Sequence, residues 1–250
     1  MNTNIMEIDR ETPPVAWLES ATPLEILRWA VENYGSKLTM ATAFGAEGCA
    51  ILDMLAKIRD ETGVFPDVFN LDTGYQFGQT LSLRKQFETK YGIPIRVITP
   101  DAGIEEAEAR SKAEHGVPLY KSDPNECCYW RKVAPLPLAL EGFDAWISAI
   151  RRDQTPERAN VPIVSRDKTY PLIKINPLAN WSKEQVWDYI RKNGVPTNPL
   201  HAQGFPSIGC WPCTKPVEQG QDERAGRWAG TEKRECGIHL PPSKPRQKVG

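Results

Sequence analysis

The strongest constraint on what this chain can fold into is an alternation. Short apolar, strand-like runs are followed again and again by helix-spaced stretches that stop at glycine. KLTMATAF (Lys37–Phe44) reads as a strand, and GAEGCAILDMLAKIRDETG (Gly45–Gly63) as the helix it feeds. DVFNLDTG (Asp67–Gly74) and IPIRVITP (Ile93–Pro100) read as strands, with a helix over SLRKQFETKYG (Ser82–Gly92) between them and another over IEEAEARSKAEHG (Ile104–Gly116) after them. DAWISAI (Asp144–Ile150) and YPLIKINP (Tyr170–Pro177) are further strands. PLEILRWAVENYG (Pro23–Gly35) is a helix ahead of the first strand, and WSKEQVWDYIRKNG (Trp181–Gly194) is a late one, in which Ser182 and Gln185 have capping-box spacing. Such alternation predicts an α/β fold, a mostly parallel sheet flanked by helices.

Ligands of such sheets sit beyond the carboxyl ends of the strands. The loops at Thr42–Gly48, Asp72–Gln76 and Ile150–Ala159 are therefore where function is expected. Residues 1–20 read as a loose lead and 21–200 as the α/β domain. Residues 201–250, rich in proline, glycine and charge, read as an extension over that domain.

Several classes of function are excluded or made less attractive by the totals. The 250 residues carry 31 Lys and Arg against 32 Asp and Glu, a net charge of −1, which does not suit a nucleic-acid binder. No run of about 18 apolar residues is present, so no membrane helix is expected. The polar, acidic start MNTNIMEIDRETPP lacks a basic and an apolar signal region, which predicts a cytoplasmic protein. In that reducing setting, the 6 cysteines point to metal binding or catalysis rather than structural disulfides.

Two cysteine groups stand out. Cys127 and Cys128 are adjacent, and Cys210 and Cys213 form a C-x-x-C. Four thiolates from two segments suit an iron–sulfur cluster or zinc. Adjacent cysteines fit tetrahedral zinc poorly and fit a broader cluster better, while a redox dithiol or plain buried cysteines remain alternatives. Arg131, Lys132 and Lys215 lie close by in sequence. RRDQTPERA (Arg151–Ala159) places three arginines in a carboxyl-end loop, where guanidinium forks suit phosphate or sulfate. DERAGRW (Asp222–Trp228) adds Arg224 and Arg227, on one face if helical. ATAFGAEG (Ala41–Gly48) joins strand to helix through small residues, so the backbone can approach an anion at the helix start. It is neither a G-x-x-x-x-G-K-[ST] loop nor G-x-G-x-x-G. Cys49 reads as a small core residue, His115 as a helix-end residue, and His201 has no evident partner.

The sixth cysteine, Cys236, lies in the polar tail segment KRECGIHLPP. Lys233, Arg234 and His239 surround it and would favour its thiolate.

Read in order, ECC-Y-W-R-K-V-x-P-L, RRDQ, GC-x-x-C-T, RAGRW and ECG-I-H resemble the assimilatory adenylyl-sulfate reductases, the iron–sulfur branch of the adenylyl-sulfate and phosphoadenylyl-sulfate reductase family. The likeness spans Ala41 to Leu240. It implies a fold like that of the adenine-nucleotide alpha-hydrolases, with ATAFGAEG related to their S-G-G-x-D-S pyrophosphate loop. Phe44 stands where that loop has its first glycine, which speaks against a pyrophosphatase, and Ala43 stands where many relatives carry serine. The resemblance implies that Cys127, Cys128, Cys210 and Cys213 hold one [4Fe-4S] cluster and that Lys132 lies between cluster and substrate. It implies Arg151, Arg224 and Arg227 as anion contacts and Cys236 as nucleophile, and the local sequence adds Arg234 and His239 as its auxiliaries.

Loop position adds Thr42, Gly45, Leu71 and Asp72 as candidate adenosine contacts. The implied substrate is adenosine 5'-phosphosulfate, with phosphoadenylyl sulfate as the alternative. The implied reductant is thioredoxin or a glutaredoxin-like donor. A homo-oligomer stays open. More remote readings are a cluster-bearing tRNA thiolation enzyme and a zinc-stapled binding module.

Overall fold

The computed structural model describes residues 16–233, 235, 237 and 238. Ala16–Ser20 forms a 3-10 turn that buries Leu18 in the main core. Glu19 bonds the Ile163 amide and the Arg152 guanidinium, so this part of the expected loose lead is docked. Helix α1 (Pro23–Tyr34) starts at a capping box of Thr22 and Glu25 with proline in the first turn. Strand β1 (Leu38–Ala41) leads into α2 (Ala46–Thr62), which ends at a left-handed Gly63. There follow β2 (Asp67–Leu71), α3 (Gly78–Tyr91), β3 (Arg96–Ile98) and α4 (Gly103–His115).

A run of short helices then departs from the alternation: α5 (Leu119–Ser122), α6 (Pro124–Cys128), a π-turn over Tyr129–Val133, and α7 (Leu136–Leu140). Strands β4 (Ala145–Ile147), β5 (Val164–Arg166) and β6 (Ile173–Ile175) complete the sheet, and α8 (Lys183–Asn193) begins at the capping box of Ser182 and Gln185.

The sheet order is β3-β2-β1-β4-β6-β5, parallel except where β5 pairs antiparallel with β6. Neighbouring side chains along a strand point to opposite faces. Val68, Ala145 and Ile147 join the large core with α1, α2 and α8, whereas Phe69 and Trp146 join a second core against α7. Cys49 is fully buried in the first of these, and desolvation pushes its thiol pKa far up, so it is a core residue. Among the described residues no helix is long and apolar enough to cross a membrane.

β1 and β4 sit at the middle of the sheet, with β2 on the other side of β1. The β1–α2 turn is held by three contacts. The Thr42 hydroxyl accepts from the Phe44 amide at 3.1 Å, Asn70 Nδ2 donates to the Thr42 carbonyl at 2.7 Å, and the Phe44 ring is fully buried beside Phe87. Phe44 has φ of 57°, a left-handed backbone normally left to glycine. The loop thus keeps a glycine's conformation while its side chain anchors the turn to the core.

Candidate functional site

The described part of the extension closes over these loops. Gln76 and Cys210 form a β-bridge, and the Trp211 amide donates to the Tyr75 carbonyl at 2.8 Å, so the C-x-x-C segment lies along the β2–α3 loop. A second bridge, Thr214 with Arg227, folds the chain back on itself. The Lys215 amide donates to the Gly226 carbonyl at 2.9 Å, and Trp228 donates to the Cys213 carbonyl at 2.9 Å. A Cβ on Gly226 would lie 2.1 Å from the Lys215 carbonyl oxygen, so only glycine permits this approach. Asp222–Trp228 is not helical, and turns carry this stretch. Arg224 and Arg227 still reach one cavity, because the bridge rather than a helix face aligns them.

That cavity, of about 220 Å³, lies between the strand ends and the extension. Thr42, Gly45, Leu71, Lys132, Arg224 and Arg227 all line it. A second, smaller cavity is lined by Cys127, Cys128, Cys210 and Cys213. Lys132, Cys210 and Arg227 belong to both walls, so the two cavities meet at two cations and a thiol.

The loop after β2 touches both cysteine-bearing segments. Thr73 Oγ1 is 3.3 Å from Cys210 Sγ, and the Thr73 carbonyl accepts from Arg131 at 2.6 Å. Arg131 also donates to Glu108 at 2.7 Å and covers the Tyr75 ring at 4.0 Å. Burial pushes the Cys127 thiol up to about 12, and neighbouring Cys128 adds to the rise. Burial, then Cys210 and Cys128, raises Cys213 to about 11. Each cysteine pair therefore lies within electrostatic reach of the other. None is in a disulfide. Among the described residues, no three of the cysteine, histidine and carboxylate groups come together tightly enough to hold a single metal ion.

Two expected contacts lie elsewhere. Arg151 is 1% exposed and does not line the cavity. Its guanidinium meets three carboxylates, those of Glu47, Asp153 at 2.8 Å and Glu223 at 3.2 Å, of which Glu47 and Glu223 do line the cavity. A cation so fully engaged by carboxylates supports the wall from behind. Asp72 also stays outside: it accepts from the Gly74 amide at 3.0 Å and faces Arg84. Cys236, Arg234 and His239 lie outside the described residues.

Two further residues of the wall were given no individual role from sequence. Arg158, the third arginine of RRDQTPERA, lines the cavity. So does His201, whose Nδ1 pairs with the Phe205 carbonyl at 2.9 Å and whose ring meets Trp187 edge-on. Its Nε2 is buried without a partner among the described residues, and desolvation holds its imidazole pKa below the ordinary 6.5. The arginine triplet was the available signal for the first. Nothing in the local sequence marked the second.

Residues 37–216 match the phosphoadenosine phosphosulfate reductase domain family. The chain belongs to this family. Among curated members of the reductase family, the adenosine 5'-phosphosulfate reductase of Oceanobacillus iheyensis is 43% identical over 86% of this chain and 87% of its own length. That of Mycolicibacterium smegmatis is 42% identical over 90% of this chain and 91% of its own. Among solved structures, a phosphoadenylyl-sulfate reductase from Candida auris, a phosphate complex, superposes with a TM-score of 0.66 at 33% identity, covering 80% of this chain and 92% of that one. An FMN adenylyltransferase of Candida glabrata, at 16% identity and a TM-score of 0.56 over 86% and 73%, shares the reductase fold alone.

Proposed function

We propose that the chain reduces adenosine 5'-phosphosulfate to sulfite and AMP, using a dithiol protein, thioredoxin or a glutaredoxin-like donor, in a cytoplasmic setting. The observation that carries the reading is the junction of the two cavities at Lys132, Arg227 and Cys210. A nucleotide on the strand-end loops would lie with its anionic end against those cations. The names of the relatives support the same substrate.

In the proposed reaction the Cys236 thiolate attacks the sulfuryl sulfur. A sulfur–sulfur bond forms, the sulfur–oxygen bond to phosphate breaks, and AMP leaves with the electron pair. One thiolate of the donor then attacks Cys236 and expels sulfite, and the second donor thiol resolves the mixed disulfide. The dithiol loses two electrons and sulfur gains them. Thiolate and sulfuryl group repel each other, so the approach needs fixed cations. Lys132, Arg224 and Arg227 are the residues of the described wall suited to that task. Thr42, Gly45 and Leu71 are the proposed adenosine contacts. Residues 201–250 act as the extension that brings the cysteine pair and the tail to the domain of 21–200.

Cys127, Cys128, Cys210 and Cys213 are the proposed ligands of a [4Fe-4S] cluster. Four thiols that line one cavity, two of them adjacent in the chain, fit a polynuclear cluster better than a single zinc ion. When bound, the cluster supplies a compact array of charge beside Lys132 and Arg227. Anaerobically purified protein is expected to absorb near about 400 nm, and Cys210→Ser to lose that band.

The experiment is intact-mass measurement with peptide mapping after incubation with adenosine 5'-phosphosulfate and no reductant. A sulfonate on Cys236 that thioredoxin removes supports the reading. Labelling by phosphoadenylyl sulfate alone would transfer the chemistry to that substrate. No adduct from either, with the absorbance band intact, would remove Cys236 from the mechanism.

A further inference from the structure

Glu235 immediately precedes the tail cysteine in the chain, and its carboxylate is spent on two cavity arginines. Arg158 Nε donates to Glu235 Oε1 at 3.0 Å, and a second Arg158 nitrogen donates to Oε2 at 2.9 Å, a bidentate fork. Arg224 reaches Oε2 at 3.3 Å. The Glu235 side chain is 7% exposed and those of Arg158 and Arg224 are 12% and 14% exposed, so these contacts are largely sheltered from solvent. Surface ion pairs contribute little, but a sheltered charge-assisted fork holds its geometry. Arg158 is itself fixed, because a further nitrogen donates to Gln154, which bonds Glu47 at the start of α2.

The chain on the other side of residue 236 is docked by different chemistry. Gly237 has φ of 90°, and a Cβ there would lie 3.2 Å from Val133 Cγ2. Ile238 lines the main cavity and packs against the second core, whose members include Phe69 and Trp146.

We propose that Glu235 is a latch, a positioning residue that fixes the start of the tail on Arg158 and thereby governs access to the Cys236 thiol. Arg158 holds the tail through the fork, while Arg224, which meets the same carboxylate at 3.3 Å and also covers the Trp228 ring, lines the cavity where an incoming substrate anion would lie. The division of labour between the two arginines rests on the proposed reductase reading; the latch itself does not.

The test is the rate at which iodoacetamide, a neutral probe, labels Cys236 in ligand-free full-length protein, followed by peptide mapping. It is read on the high-pH plateau, where the thiol is fully ionised and thiol acidity no longer affects the rate. Glu235→Gln is expected to raise the rate about 10-fold, the scale of one lost charge-assisted interaction. Arg158→Gln should raise it similarly, and the double variant no further, because both break one contact. The two substitutions change local charge in opposite directions, so a shared increase reports release of the tail and not a field effect. Rising salt should bring the unaltered protein toward the variants and leave Glu235→Gln nearly flat. In turnover, Glu235→Gln should lower kcat without raising KM, since the substrate keeps Arg224.

A labelling rate unchanged by either substitution and by salt overturns the latch, and the salt series is decisive even if a variant fails to fold. Absence of a sulfonate adduct in the unaltered protein sinks the reductase reading and leaves the labelling result standing.

Discussion

Arg227 holds its place in the cavity wall only because residue 209 has no side chain. A Cβ at Gly209 would lie 2.2 Å from one terminal guanidinium nitrogen, and Arg227 Nε has no partner among the described residues. Gly209 has no left-handed backbone to lose, so alanine strains nothing there except the guanidinium. Gly209→Ala is expected to raise KM for the nucleotide about 10-fold, with the melting temperature close to that of the parent. An unchanged KM would remove Arg227 from the anion site. His201 makes a prediction of a different kind. Its folded pKa lies below 6.5, so between the two values the unfolded chain binds the proton first. The stability contributed by the neutral ring is present above pH 6.5 and is lost as pH falls toward the folded value. His201→Gln should therefore show a smaller drop in melting temperature between about pH 7.5 and about pH 5.5 than the parent, measured by calorimetry in matched buffers.

At the scale of elements, the β1–α2 turn sets strain against burial. Relieving the positive φ of Phe44 would return about 1–2 kcal/mol, whereas emptying its buried site costs about 3–5 kcal/mol. Phe44→Gly should thus destabilise by roughly 2–3 kcal/mol in denaturant unfolding, although it restores the residue the loop's conformation favours. A stabilised variant would mean that the ring does not anchor the turn. The same turn shows what the sequence made legible. The strand, the helix and the glycine stop at Gly63 were readable because period and punctuation agreed over many residues. The capping box at Ser182 was readable for the same reason. The segment Leu119–Leu140 was not, since prolines at 124, 135 and 137 cut it into helices of four or five residues, too short to carry a period. Lys132 rides on the π-turn within it, so motif resemblance pointed to that residue where periodicity could not. Strand β5, three residues on an antiparallel edge, likewise has no room for alternation.

Across the whole molecule, Arg151 ties together parts that are distant in sequence. Glu47 belongs to α2, Asp153 to the loop after β4, and Glu223 to the extension. The loop position of Arg151 suggested an anion contact, and what sequence could not convey is that three carboxylates would reach it first. The two roles differ in what their removal costs. A cavity-facing anion contact would lose substrate affinity on truncation and leave stability nearly intact. A buried hub would leave Glu47 without its counter-charge and Glu223 with only the longer Lys183 contact at 3.7 Å, at about 3–5 kcal/mol for a broken buried pair. Arg151→Ala is expected to lower the urea midpoint accordingly, and to loosen the extension so that protease cleaves near residues 218–222 faster than in the parent. Glu223→Gln should recover part of that stability in the Arg151→Ala background, because it removes one of the stranded charges, whereas in the parent it removes a partner and destabilises. That reversal of sign is what a hub requires. If Glu223→Gln destabilises equally in both backgrounds, Arg151 and Glu223 act independently, and the extension is held by its bridges at Cys210 and Arg227 rather than by this ion cluster.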